Sequence, residues 1–600
     1  MPLVSLAALA LLASSPNVLV ILTDDQGWGD LSLHDGPGLD TPHLDSIAID
    51  GAHFERFYVS PVCAPTRASL LTGRYHWRTG THGVTRGQEN MRASETTVAE
   101  LFADVGYATG CFGKWHNGSA YPLDPIGQGF DRFVGFCAGH WNNYFDTTLR
   151  DAVRLPDGRV RQNDRSTDGY ITDVLTDAAI DFIDARGGRP FLCYVPYNAP
   201  HWPPQVPDEY YRRFADRTDL DDKEKSAYAM VENIDHNVGR LLAKLDADGL
   251  VEDTIVVFLT DNGANSNRWD GNMREQKGSI HDGGIRVPCF VRYPARIPAG
   301  RTVKVVGQHI DLLPTLASLC GVAVPHDLQK TLDGVDLSGV LIGDAADDSI
   351  APRHVITARV GRERPIEGAR GSVLSTATLE RATVQNGKVK LYDLMTDPSE
   401  TTDLAKERPD AANQLAGVFR DYVAQFESFE PVRMPIGHAE SPATLLQGHE
   451  AFLHGSDGRE GKPAAGHGIS YHGPNGWAND WIDNWTSTEA FPFWTVDVAQ
   501  PGSYEATLLY RVHPADVGDR VRLVGGEEDV TAELTQARWT AAIDSPDRFP
   551  RTETYEQEWA SQRLGEIPLA AGPQRIELHL DEIAGERGPQ VVGLKLTRKP

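Results

Sequence analysis

Four short stretches share one pattern, and that recurrence restricts the fold more than any other feature of the chain. Asn17-Val-Leu-Val-Ile-Leu-Thr23 is a continuous apolar, β-branched-rich run that stops in Asp24-Asp25-Gln26-Gly27. Thr109 to Phe112 leads into Gly113-Lys114-Trp115-His116, Phe191 to Val195 into Asn198-Ala199-Pro200-His201, and Ile255 to Leu259 into Thr260-Asp261-Asn262-Gly263. Uninterrupted apolar runs of this length are what strands buried on both faces of a parallel sheet require. Amphipathic helical patterns lie between them, over Thr97 to Val105, Ile171 to Ala185 and Lys223 to Leu245, the last with Gly249 beyond it as a stop. Alternation of strands and helices predicts an α/β domain, a mainly parallel sheet sandwiched by helices. Ligands of such sheets bind at the carboxyl ends of the strands, so the four polar loops can converge on one place.

The texture changes after Pro314. Val355 to Ala358, a strand pair around Thr383 to Leu391, and a helix from about Asp410 to Phe426 suggest a small α+β subdomain. From about 436 onward the runs Phe493 to Val498, Gly502 to Tyr510 and Gln574 to Leu580 alternate between Pro-Gly turns and predict an all-β sandwich. The expected division is a signal-like segment over 1–15, a catalytic domain over 16–349, a small C-terminal subdomain over 350–435 and the sandwich over 436–600. Trp477, Trp481, Trp485 and Trp494 crowd the first half of the sandwich, and fit either core packing or an aromatic platform for sugar rings.

Six hundred residues exceed one core, in keeping with several domains. The formal charge of −27 argues against a nucleic-acid surface, which needs clustered Lys and Arg, and would repel anionic substrates at long range, so an anion site must be a local positive pocket. Six cysteines are no disulfide scaffold; they leave room for one or two bridges at most, and Cys193 and Cys289 sit in strand-like apolar runs that read as core. Leu3 to Ala13 resembles the apolar region of a secretory signal, without the basic residues that usually precede it, and is too short for a membrane span. Periplasmic or secreted placement is the expectation, with the cytoplasm as the alternative.

Pro61-Val-Cys63-Ala-Pro65-Thr-Arg67-Ala-Ser-Leu-Leu-Thr-Gly73-Arg74 carries the chemistry. Pro65 suits the first turn of a helix, which would put Cys63 just ahead of the helix N-terminus, where backbone N–H groups favour an anionic atom. Arg67 can turn its guanidinium toward the same point. The cysteine alone would read as a buried core thiol. The spelling C-x-P-x-R followed by Leu-Thr-Gly-Arg resembles the signature of the type I sulfatases of the alkaline phosphatase superfamily. Lys114 and His116 stand in Gly-Lys-Trp-His-Asn-Gly, similar to that family's Gly-Lys-Trp-His-Leu-Gly with Asn117 as the departure. Asn198-Ala-Pro-His201 is similar to its second histidine loop, and Gln-Lys277-Gly-Ser-Ile-His-Asp282-Gly-Gly-Ile-Arg-Val-Pro to its later lysine motif, with Asp282 in place of Glu. The resemblance covers about residues 17 to 425.

Asp24, Asp25, Asp261 and Asn262 offer oxygen donors alone, which suit Ca²⁺ or Mg²⁺ over zinc. Taken singly each pair reads as a cap or turn; recurrence after two buried strands favours a metal. The resemblance implies Ca²⁺, ahead of Mg²⁺, on these four residues and on residue 63. It implies that a formylglycine-generating maturation enzyme oxidises Cys63 to formylglycine, whose hydrate supplies the attacking oxygen. Asp261 would then accept a proton, Arg67, Lys114 and Lys277 would neutralise the sulfuryl oxygens, His201 with Lys277 would protonate the leaving oxygen, and His116 would assist release. Lys114, His201 and Lys277 would also bind substrate, expected to be a sulfated glycan or an aryl sulfate. Trp115, His140, Trp141 and Asn142 are candidates for sugar contact or for packing. Two alternatives stand beside this reading: a phosphate or phosphonate ester hydrolase of the same superfamily, and an inactive polysaccharide-binding protein. His309-Ile-Asp311 reads as the cap of the helix through Leu319, not as part of a second metal site.

Overall fold

A computed structural model describes residues 15–360, 369–426, 432–454, 468–473 and 476–600. The signal-like run Leu3 to Ala13 lies outside them. Five parallel strands form the centre of a ten-stranded sheet: β1 (Asn17–Thr23), β2 (Ala108–Lys114), β3 (Arg132–Phe136), β4 (Phe191–Pro196) and β5 (Thr254–Thr260). Their spatial order is β5-β1-β4-β2-β3. Side chains alternate across the sheet. Val18, Val20 and Leu22 enter one core, with Leu70, Leu71, Val98 and Leu312; Leu19 and Ile21 enter the other, with Leu175, Ile183, Ile234 and Leu241. The apolar runs are therefore continuous because both faces are covered.

The sheet is mixed: besides its parallel centre, the edge strand Arg301–Val303 pairs parallel with Ala52–Phe54. Cys289–Arg292 and Ala52–Phe54 extend one side and Thr148–Arg154 and Val160–Ser166 the other, all through antiparallel pairings. The last strand reads Val-Arg-Gln-Asn-Asp-Arg-Ser and is largely exposed, as a charged edge should be; it lacks the apolar signal that predicts a strand.

Three helices matter for the site. Helix α1 spans Cys63–Thr72, α2 spans Ile171–Ala185 and α3 spans Asp222–Ala247. Thr97 caps the short helix Val98–Asp104 through a reciprocal pair with Glu100, so the predicted start falls one residue early, on the cap itself. Helix α1 begins at Cys63 and closes on Gly73 in the left-handed conformation. The cysteine is thus the first helical residue, not one ahead of it. Val62 is the extended residue before the helix, leaving the backbone donors of the first turn open.

A four-stranded antiparallel sheet, His354–Arg359, Arg370–Ser375, Glu380–Gln385 and Lys388–Asp393, packs against the helix Pro409–Val423 through Leu415, Phe419 and Tyr422. Beyond it two antiparallel-rich sheets face each other over a shared core. Trp481, Trp485 and Trp494 are buried, and Trp485 and Trp494 donate their indole N–H groups to the Ala490 and Gln447 carbonyls. These three are packing residues; they form no exposed platform. All six cysteines are free thiols, and among the described residues no helix is long and apolar enough to cross a membrane.

Candidate active site

Strand register assembles the acidic centre. Thr23 pairs with Thr260 across β1 and β5, so the residues that follow, Asp24 and Asp261, leave the sheet side by side. The Asp25 backbone N–H donates to Asp261 Oδ1 at 3.3 Å, and Asn262 Nδ2 donates to Asp25 Oδ1 at 2.8 Å. Asp25 holds a left-handed backbone, φ 65°, a conformation costly for a residue other than Gly or Asn and characteristic of functional sites. Arg268 steadies it, donating Nη2 to the Asp25 carbonyl at 2.8 Å while pairing with buried Asp30. Neither Arg268 nor Asp30 carried a signal in the sequence, because their partnership spans more than two hundred residues.

Cations close over the acids. Arg67, fully buried, reaches back from α1 to place Nε and Nη2 at 3.1 and 2.8 Å from Asp261 Oδ2 and Nη2 at 3.3 Å from Asp24. Its Nη1 donates to the Lys114 carbonyl at 2.6 Å. Lys114, at the end of β2, pairs with Asp24, and Lys277 Nζ sits 2.6 Å from Asp25 Oδ1. Gly113 allows this approach, since a Cβ there would fall 2.0 Å from the Pro196 carbonyl oxygen. Three carboxylates thus face three cations. Burial works to raise the Asp24 pKa, but Lys114, with His201, Arg67 and Lys277, overcomes it and holds the group well below the usual carboxylate range. Asp261 moves the other way, pushed up by burial and by the Asp24 charge beside it.

Two histidines flank the centre. His116 also has positive φ, 61°, and its Nε2 lies 3.0 Å from the Val84 carbonyl. A carbonyl only accepts, so Nε2 carries the hydrogen and Nδ1 keeps a lone pair; Nδ1 is buried and has no hydrogen-bond partner among the described residues. Burial first, then Lys114, push this histidine down to about 3, so it is neutral. His201 Nδ1 faces the Trp202 carbonyl at 2.8 Å, leaving Nε2 toward Asp25 at 3.6 Å. Its ring stacks on His140, centroids 6.1 Å apart.

A divalent cation fits this donor set. Asp24 Oδ1, Asp25 Oδ2 and Asn262 Oδ1 are buried oxygens with no hydrogen-bond partner among the described residues. Ligand atoms of Asp24, Cys63 and Asp261 lie within 4.8 Å of one another, as do those of Asp24, Asp25 and His201. Cys63 is 4% exposed, and Lys277 borders a cavity of about 540 Å³ lined also by Gln276, Ser279, Arg359 and Arg370.

The ten residues singled out in the sequence therefore gather here, at four strand ends, the α1 start and one loop. Asn117 replaces the family's leucine with a tie, its Nδ2 donating to the Ala64 carbonyl at 3.0 Å. Asp282 pairs with Arg381 of the small sheet, a supporting contact. Trp115 is completely buried, its indole N–H on the Leu123 carbonyl, and is core. His309 and Asp311 form the turn before the helix Leu312–Leu319, with Asp311 bound to Arg353.

Comparison with known proteins agrees with this geometry. A family model described as Sulfatase matches residues 16–322. The chain is 32% identical to N-acetylgalactosamine-6-sulfatase of Canis lupus familiaris over 392 residues, covering 61% of this chain and 70% of the relative. It is 32% identical to arylsulfatase A of Homo sapiens over 448 residues, covering 67% and 86%. Among solved structures, Ps i-CgsB in complex with k-i-k-neocarrahexaose is similar with a TM-score of 0.60 and 27% identity, over 68% of this chain and 93% of that one. Matched over half its length by the family model and carrying the family's motifs at converging strand ends, the chain belongs to the sulfatase family and is a sulfuric ester hydrolase.

Proposed function

We propose that the protein hydrolyses sulfate esters of carbohydrates using an oxidised residue 63, with Ca²⁺ held by Asp24, Asp25, Asp261 and Asn262. One observation carries this reading: the first residue of α1 shares a donor cluster with Asp24 and Asp261 under three buried cations. Hard oxygen donors favour Ca²⁺ over a softer metal. When bound, the ion would lower the pKa of an oxygen nucleophile and offset charge on the sulfuryl group. A maturation enzyme would convert the Cys63 thiol to formylglycine, whose hydrate supplies that oxygen.

The surrounding residues have separable tasks. Three cations already balance three carboxylates, so a dication leaves the pocket positive and matched to an anionic ester, whatever the acidity of the rest of the chain. Arg67 fixes Asp261 beside the nucleophile. Asp261, pushed up by burial and Asp24, takes the proton of the attacking oxygen. Lys114 and Lys277 hold the non-bridging sulfuryl oxygens. His201 gives a proton to the leaving alcohol oxygen, with Lys277 beside it. His116, kept neutral with a free Nδ1 lone pair, accepts a proton as sulfate departs.

A sulfated glycan is the substrate we favour. Support comes from the relative named N-acetylgalactosamine-6-sulfatase and from the solved complex of Ps i-CgsB with k-i-k-neocarrahexaose. Placement outside the cytoplasm rests on the signal-like run Leu3 to Ala13 alone. Mass spectrometry of the Cys63 peptide tests the centre of the proposal: sulfur should be replaced by a carbonyl oxygen in active protein. An intact thiol in fully active enzyme would refute it. Rates on 4-nitrophenyl sulfate and 4-nitrophenyl phosphate, side by side, should favour the sulfate; the reverse preference would support a phosphate ester hydrolase.

A further inference from the structure

The sandwich does not hang from the catalytic domain. The connection between its strands Glu528–Glu533 and Ala560–Leu569 runs back over the catalytic sheet and meets the two loops beside His201. Arg551, with 1% of its side chain exposed, donates Nη1 to the Asn142 carbonyl at 2.6 Å. Its charge is balanced by Asp547, 3.5 Å away, and its guanidinium lies over the Tyr555 ring at 4.2 Å. Asn479, from the turn before Trp481, donates Nδ2 to the His140 carbonyl at 2.6 Å. Thr554 joins the two contacts, accepting from Asn142 Nδ2 at 3.5 Å and donating to the Asn479 carbonyl at 3.4 Å.

The second loop is gripped in the same way. Gln205 donates to Asp547 Oδ1 at 2.8 Å and accepts from the Tyr144 backbone N–H at 2.7 Å. The Tyr144 hydroxyl donates to the carbonyls of His201 and Trp202, at 2.9 and 3.1 Å. Phe549 packs edge-on against Trp202, and Arg548 donates its backbone N–H to the Pro204 carbonyl at 2.9 Å. His201 is thus fixed twice: through its own backbone by Tyr144, and through its ring by His140, whose loop the sandwich holds.

We propose that the C-terminal sandwich completes the leaving-group side of the active site, with Arg551 and Asn479 as positioning residues that set His201 through the loop His140–Asn142. The inference rests on the reading of His201 as the group that protonates the departing oxygen. Each acts by holding a backbone carbonyl. A misplaced acid loses most where the leaving group is poorest, because a good leaving group departs without a proton.

The test is kcat/KM of the full chain on aryl sulfates of rising leaving-group pKa, from 4-nitrophenyl sulfate to phenyl sulfate. Arg551→Ala and Asn479→Gly should each lose at least about tenfold more on phenyl sulfate than on 4-nitrophenyl sulfate. Arg551→Lys, which keeps a donor for the Asn142 carbonyl, should recover most of that difference. Asn479→Gly retains the left-handed backbone at φ 60°, so it carries the test if Arg551→Ala does not fold. Equal losses on both substrates, or none on either, would overturn the proposal. His201→Asn is the reference: if it steepens the leaving-group dependence and the two sandwich variants do not, only this inference fails. If His201→Asn itself shows no such dependence, the acid assignment fails first.

Discussion

Two buried regions of this molecule hold carboxylates at comparable depth and treat them in opposite ways. In the active centre Asp24, Asp25 and Asp261 each meet a cation within 3.3 Å, and Asp24 is held far below its ordinary pKa. At the seam between the catalytic domain and the sandwich, Glu89 and Glu450 are buried beside each other's charge, with the Gln447 backbone and Ser119, at 3.3 Å, as hydrogen-bond donors to Glu450. Burial, then Glu89, push Glu450 up to about 8; Arg150 pulls only weakly the other way. Depth raises every carboxylate. Partner charge decides whether it stays ionised. In the centre the cations keep Asp24 charged while Asp261 beside it is pushed up by burial and by Asp24; at the seam burial and Glu89 push Glu450 toward its neutral form.

Removing Cys63, the proposed nucleophile precursor, should have the largest effect. Cys63→Ala should lower turnover by at least about a thousandfold without a large change in melting temperature, since alanine suits the helical backbone of α1; retained activity would break the contrast at its root. Lys277→Ala follows. It takes away a cation proposed to hold the sulfuryl oxygens and the ion pair of buried Asp25, so turnover should fall by about a hundredfold or more. A variant rate equal to wild type would remove Lys277 from the site. Chelation sharpens the same point from the metal's side: activity should fall on EDTA treatment and return with Ca²⁺ more fully than with Zn²⁺, measured after dialysis. A zinc preference would overturn the donor argument.

The smallest effect belongs to the seam. An unfolded glutamate titrates at about 4.3 and Glu450 in the folded protein at about 8, so across that window the folded form binds the extra proton. Its contribution to stability is complete below the unfolded value and is lost as pH rises through the folded one. Glu450→Gln cannot ionise and should melt higher than wild type, by a few degrees near pH 8, with the gap closing toward about pH 5. An unchanged gap across that range would mean the seam is hydrated and the contrast with the centre is wrong.

Local pattern carried a large part of the molecule. The apolar runs of β1, β2, β4 and β5 and the helices α2 and α3 were legible because burial on both faces, or on one stripe, leaves a periodic record along a few neighbouring residues. Most of the site residues were legible because they stand at the end of a strand that the sequence marks; the motif around Cys63 is contiguous, and Lys277, in a loop, was reached only through the family resemblance. The antiparallel edge Thr148–Ser166 left little record, since a half-exposed charged strand resembles a loop.

By itself, then, the sequence determined the strands, their polar ends and the family chemistry those ends spell. Tertiary structure alone decided which charges neutralise which, that Arg268 and Asp30 hold the Asp25 backbone, that three sandwich tryptophans are core, and that Arg551 and Asn479 reach His140 and Asn142 from more than three hundred residues away. The physical reason is that strand and helix periodicity comes from neighbours a few residues apart, whereas a buried charge or an orphan carbonyl is satisfied by whatever the completed fold brings against it.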